Sequence, residues 1–225
     1  MFKKILLSLL LVTMTLTASA QNSRQYVKNM IAKYNECKSV AITRTNGDAM
    51  IYGVNGYAAK DCPTGFVNAL SSLHDQGETL QDIHLSESGR WLILYGGNGM
   101  RWERLYSDLE REIRRYNENR ETITTVTFND DGEWIIITTD HICASSDEIQ
   151  EWLAKGCKDY GKLWTACLTD DALIAVYDEG YKFLGNVPED LKKALKETNK
   201  DVYMVKMAGT SWFFASKDGY WRYSM

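Results

Sequence analysis

The sequence predicts an α+β repeat: five tandem helix-plus-three-strand units, closed as a five-fold pseudo-symmetric ring, with an open solenoid as the alternative. Three observations predict it. An apolar anchor recurs at Met50-Ile51-Tyr52, Trp91-Leu92-Ile93, Trp134-Ile135-Ile136, Leu173-Ile174-Ala175 and Trp212-Phe213-Phe214, with spacings of 41, 43, 39 and 39 residues, a period that marks internal repetition. Helix positions Met30, Leu70, Ile113, Leu153 and Leu195 keep step, 40, 43, 40 and 42 residues apart. The two ends also match: helix 23–36 has no sheet before it, and the last sheet has no helix after it. An apolar final stretch, with Trp212, Phe213, Phe214, Tyr220, Trp221 and Tyr223, is unlike the polar caps of an open stack.

Taken from the N-terminus, residues 1–20 read as a secretory signal. Lys3 and Lys4 precede an apolar stretch from Ile5 to Leu16, and Ala18-Ser19-Ala20 forms a small-residue cleavage site that leaves Gln21 first. An exported chain, periplasmic or secreted, is expected, and no later segment approaches the roughly 18 apolar residues of a membrane span. The leader holds two of the 26 basic and none of the 30 acidic residues, so residues 21–225 carry a net charge of −6. That balance lacks the basic stripe of a nucleic-acid surface.

Residues 21–225 are expected to form a single repeat domain, with units of about 23–63, 64–105, 106–146, 147–186 and 187–225. The helix of each unit shows in stripes such as Leu109, Ile113 and Tyr116, spaced i, i+4, i+7. Ser23, Thr64 and Asp108 stand as expected caps, Pro188 suits a first helical turn, and Gly77 and Gly156 suit helix ends. A short first strand follows in each unit, over 40–43, 83–85, 126–128, 166–168 and 204–207. Its hairpin is marked by Asn46-Gly47, Ser88-Gly89, Asp131-Gly132, Asp170-Asp171 and Ala208-Gly209. The anchor strand is apolar at nearly every position, as a strand buried on both faces must be. A second turn leads to a third strand that Tyr57, His141, Tyr181 and Tyr220 open or border.

The helix that ends near glycine, followed by a hairpin with G-x-W entering its strand (Gly89-Arg90-Trp91, Gly132-Glu133-Trp134), resembles tandem repeats of exported bacterial proteins of unknown function. Five strand-strand-strand-helix units are also, in cyclic order, similar to the pentein propeller of ribosome-associated factors and guanidine-modifying enzymes. The enzymes of that family use a late cysteine with a histidine and acidic partners. Here no cysteine follows Cys167, and the fifth unit has no histidine.

Function is therefore expected from surface chemistry. The principal reading is a non-catalytic binding or interaction module for a protein, peptide or glycan. Tyr57, His141, Tyr181 and Tyr220 share a repeat position and would recur at one end of a ring, with Trp102, Trp164 and Trp221 assigned to outer strands; flat rings with polar tips suit such ligands. The alternative is a hydrolase or transferase on the same scaffold, for which His141 and Cys143 are the candidate base and nucleophile. No cofactor or metal motif stands out: the oxygen-rich run Asn129 to Glu133 fits a hairpin turn better than a calcium loop. Of the five cysteines, Cys37 and Cys62 are the candidate disulfide.

Overall fold

The structure, a computed structural model, describes residues 21–225. The expected leader with Ala18 and Ala20 lies outside the described residues, which begin at Gln21. Helix α1 spans 21–34. The first sheet follows as β1 (Ser39–Ala41), β2 (Asp48–Tyr52) and β3 (Gly56–Lys60). Helix α2 (Thr64–Asp75) precedes β4 (Leu80–Leu85), β5 (Trp91–Tyr95) and β6 (Gly99–Glu103). Helix α3 (Ser107–Glu118) precedes β7 (Ile123–Phe128), β8 (Trp134–Thr138) and β9 (Ile142–Ala144). Helix α4 (Asp147–Tyr160) leads to β10 (Leu163–Leu168), β11 (Ala172–Tyr177) and β12 (Tyr181–Gly185). Helix α5 (Glu189–Glu197) leads to β13 (Val202–Ala208), β14 (Ser211–Ser216) and β15 (Trp221–Ser224). Each unit is thus a helix and a three-stranded antiparallel meander, five times over.

Among the described residues no ladder joins one sheet to the next; helices do. Phe66, Leu70 and Leu73 of α2 are buried between Ala49 and Ile51 of the first sheet and Ile83 and Ile93 of the second. Leu109 and Ile113 of α3 fill the next gap, against Leu92 and Leu94 on one side and Val126 and Ile136 on the other. The middle strand therefore buries both faces, Trp91 and Ile93 in one core and Leu92 and Leu94 in its neighbour. Ile149 and Leu153 of α4, then Leu191 and Leu195 of α5, repeat the arrangement. The fifth gap is filled by α1: Val27 and Ile31 pack between Phe213 and Ala215 of the last sheet and Val40 and Met50 of the first. Lys28 Nζ donates to the Met225 carbonyl at 2.9 Å, and Tyr203 OH to the Lys38 carbonyl at 3.1 Å. The two unmatched ends complete each other, and the ring closes through side chains.

First strands are innermost. They neighbour one another in turn, β1 with β4, β7, β10 and β13 around the axis and back to β1, whereas the third strands are half-buried at the rim.

Several local expectations are corrected. The position of Trp91 is held in the first unit by Asp48, two residues before the expected Met50, because Tyr52 and Tyr95 are the equivalent pair: each ring lies over the glycine opening the third strand, where a Cβ on Gly56 or Gly99 would come within 2.5 Å. The buried apolar side chains of α1 are Val27 and Ile31 rather than Met30. Ser23 lies inside α1 and bonds Asp48. Thr64 is already helical, with Pro63 at its N-cap, and Tyr106 rather than Asp108 is the N-cap of α3. Gly156 is inside α4, not at its end, because the Tyr177 ring crosses the helix there. Trp164 belongs to innermost strand β10, not to an outer strand. The five cysteines are free thiols. Cys37 and Cys62 form no bridge: Cys37 is buried in the α1 core and Cys62 packs against the α2 core, on the other side of the first sheet.

Candidate functional site

The innermost strands carry the polar chemistry of the axis. Their register aligns Ser39, Asp82, Thr125, Thr165 and Met204 as one layer, and two residues on, Ala41, His84, Thr127, Cys167 and Lys206 as the next. All ten are buried, and the polar ones bond across the ring. Ser39 Oγ donates to Asp82 at 2.7 Å, Lys206 Nζ reaches Asp82 at 2.9 Å, and Thr125 meets Thr165 at 3.4 Å. His84 Nε2 lies 2.8 Å from the Phe128 carbonyl, which makes it the protonated nitrogen of a neutral imidazole. Burial first, and then the Lys206 charge, push its pKa down to about 3. The Cys167 thiol is pushed up to about 11, chiefly by burial. This buried plug closes the axis.

At the plug's outer end, four innermost strands slip register by one residue, between Leu80 and Asp82, Ile123 and Thr125, Leu163 and Thr165, and Val202 and Met204. The extra residues are Gln81, Thr124, Trp164 and Tyr203, and Lys38 is their equivalent in the first unit. A residue at such a slip stands outside the ladder and its side chain is re-aimed. These five positions, one from each unit, line a single axial pit of about 450 Å³. Thr79, Thr122, Thr138, Thr139 and Lys162 add to its wall with Leu80, Ile123 and Leu163, and buried Thr125 and Met204 lie at its base.

Two aromatic walls of the pit are held by polar contacts. Trp164 Nε1 donates to Asp178 Oδ1 at 2.6 Å, and Asp178 Oδ2 accepts the Lys162 amide at 2.9 Å. Lys217 Nζ lies 3.5 Å from the Trp164 ring centre and Lys162 Nζ 5.0 Å from it. Tyr203 donates to the Lys38 carbonyl, and burial first, then nearby acids, push its phenol up to about 12, so it stays a neutral donor. Trp164 also walls a neighbouring cleft of about 410 Å³ with Tyr181, Lys200 and Lys217.

The opposite end of the axis is narrow, with space of about 50 Å³. There the first hairpin turns interlock: Glu87 accepts the amides of Arg44 and Thr45, Asp130 that of Ser88, and Asp170 that of Asp130. Those carboxylates are repeat equivalents, each clasping the preceding turn. The acidic run around Asp130 thus serves turn architecture, and no cluster of metal-ligating side chains occurs among the described residues.

The sequence-chosen residues lie around the pit rather than in it. Tyr57 packs against the α2 core and sits edge-on to His74 at 6.0 Å, and Tyr181 packs against the α5 core beside Phe183. His141 bonds Glu121 at 2.7 Å, and Tyr220 is exposed beside Phe214. These four do not converge: Tyr57 lies at the α2 interface, His141 beside Tyr116 of α3, and Tyr181 and Tyr220 both at the α5 interface. Trp102 lies under Arg114, and Trp221 stacks with Tyr223 against the α1 core. Cys143 is turned into the α3 core, where burial raises its thiol pKa despite a hydrogen bond with Tyr116. Its imidazole neighbour is engaged with Glu121, so the pair lacks the thiolate–imidazole contact of a cysteine nucleophile. Lys38, Gln81, Thr124, Lys162 and Tyr203 were not singled out in sequence, and Trp164 was named there only as an outer-strand aromatic. Aligning the first strands repeat by repeat, and reading the residue just before the axial layer, finds all of these but Lys162.

No protein-family model matches the chain, and no curated protein matches it. Among solved structures, YCF48 bound to D1 peptide is similar over 79% of this chain, with 11% sequence identity and a TM-score of 0.28. This chain spans about half of that protein, covering 47% of it.

Proposed function

We propose that the chain is an exported, non-catalytic binding module that takes a protein or peptide ligand in the axial pit. The carrying observation is convergence: one side chain from each unit faces one depression, four of them through the same departure from sheet register. Trp164 and Tyr203 are fixed in advance by hydrogen bonds, which lowers the ordering cost of binding. The second-turn end expected to bind is this same end, since Thr138 and Thr139 line the pit. Tyr181 borders its flank. The candidate pair of the hydrolase or transferase alternative is not assembled as a thiolate and imidazole: burial raises the Cys143 thiol pKa, and His141 is bonded to Glu121.

The test is selection of peptide pools and a glycan array on residues 21–225, repeated with a Trp164→Ala/Tyr203→Ala variant. Peptide binding that falls by at least about tenfold in the variant, at an unchanged melting temperature, supports the pit. Ligands that bind the variant as tightly as the parent, or that are glycans alone, overturn it. Export is tested by fractionating cells that express the full chain: a product beginning at Gln21 outside the cytoplasm is expected, and an uncut cytoplasmic chain would refute it.

A further inference from the structure

We infer that the pit receives its ligand end-on and that its lysines engage the carboxylate of a peptide C-terminus, an inference that rests on the pit being the binding site. The first reason is shape. All five units contribute to the wall, and the buried, cross-bonded layer of Ser39, Asp82, Thr125, Thr165 and Met204 closes the axis beneath it. A chain that enters along the axis has no exit and must stop. A cavity of about 450 Å³ holds a short terminal segment rather than a folded surface.

The second reason is charge. In a chain that is acidic overall, the charged side chains on this wall are Lys38 and Lys162, with no carboxylate among the lining residues. The Lys38 ammonium has no protein partner among the described residues, and Lys162 Nζ reaches only the neutral Thr139 carbonyl, at 3.1 Å, beside the Trp164 ring. Asp82 is spent on Lys206 and Ser39 below, and Asp178 on Trp164 and the Lys162 amide outside. Two ammonium groups without a carboxylate partner define a place for one.

The third reason is the set of side chains that the slips re-aim. Register slips leave Gln81, Thr124, Trp164 and Tyr203 outside their ladders and turn them toward the pit. Trp164 and Tyr203 then offer an apolar wall for the last side chain.

The experiment uses residues 21–225 and two randomised pools of short N-acetylated peptides, one ending in a free carboxylate and one in an amide. Retained peptides are quantified on the parent, on Lys38→Gln/Lys162→Gln and on Trp164→Ala/Tyr203→Ala, with melting temperatures measured alongside. The expected result is preference for the carboxylate pool by about tenfold or more on the parent, weakened by salt and abolished in the lysine variant without loss of stability. Equal retention of both pools by the parent, lost in the Trp164/Tyr203 variant, overturns the carboxylate inference and leaves the pit as the binding site. Retention of neither pool, or retention indifferent to Trp164 and Tyr203, overturns both.

Discussion

His84 shows what one buried residue can impose. Its imidazole is enclosed at the axis, donates to the Phe128 carbonyl and is held neutral, with its pKa near 3 instead of the usual 6.5. Between those values the unfolded chain binds a proton that the folded chain refuses, so this contribution to stability is complete above pH 6.5 and drains away as pH falls towards 3. The slope is at most about 1.4 kcal/mol per pH unit. Urea unfolding at pH 7 and 4.5 is expected to show the parent losing about 2–3 kcal/mol more than His84→Gln; equal losses would mean that His84 is not buried neutral. Gly156 is the second case. Alanine in a helix interior ordinarily gains about 1 kcal/mol over glycine, but here a Cβ would lie 2.1 Å from Tyr177 Oη and 2.2 Å from Cζ. Gly156→Ala is therefore expected to destabilise by about 1–3 kcal/mol, and to stabilise in a Tyr177→Ala background. A thermal melt of the four combinations decides it.

Between strand and helix, one polar contact is rewritten from unit to unit. Trp134 donates its indole N–H to Asp108 at 2.8 Å and Trp212 donates to Asp190 at 3.0 Å, each acid in the first turn of the unit's own helix. The second unit has Gly65 at that helix position, and Glu103 from the rim strand reaches into the vacated space to accept from Trp91 at 3.1 Å; a Cβ on Gly65 would stand 2.2 Å from its carboxylate. In the first unit the polarity is reversed. Strand residue Asp48 is the acceptor, bonded by Ser23 at 2.8 Å and Arg24 at 3.0 Å from α1. Glu103→Ala is expected to cost about 1 kcal/mol by leaving the Trp91 N–H without its partner, and Gly65→Asp added to it to recover most of that. Chemical denaturation of both variants is the measurement, and no recovery would show that the contact is not interchangeable. Asp48 in the tryptophan's place explains why the G-x-W motif fades in unit one although the fold does not.

For the whole ring, closure depends on α1. Val27 and Ile31 are fully buried between the last and first sheets, and Ile31→Ala is expected to destabilise by about 2–4 kcal/mol. Removing residues 21–36 should uncover Phe213, Val40 and Met50 together and cause aggregation or loss of cooperative unfolding. A monomeric truncated chain with the parent's denaturation midpoint would contradict closure. The matched deficits at the two ends were legible because an apolar helix and an apolar sheet each need a partner. Less of the candidate site was legible. Ladder register makes Tyr57 and Tyr181 equivalent, opposite Ile51 and Val176, but Ile142 and Trp221 hold the same place in their sheets, and His141 and Tyr220 stand one residue earlier, so the four do not converge.

The sequence by itself determined the five units, the order of helix and meander, the strand buried on both faces and the pairing of the two ends, because those follow from the periodicity of apolar residues and from turn chemistry. Tertiary structure alone decided what meets on the axis. Asp82 and Lys206 are 124 residues apart and form one buried ion pair, and Lys38, Gln81, Thr124, Trp164 and Tyr203 face a common pit. A single-residue slip in strand register turns four of those five inward. Such slips are set by how neighbouring sheets pack around the axis, which no pattern along one strand records.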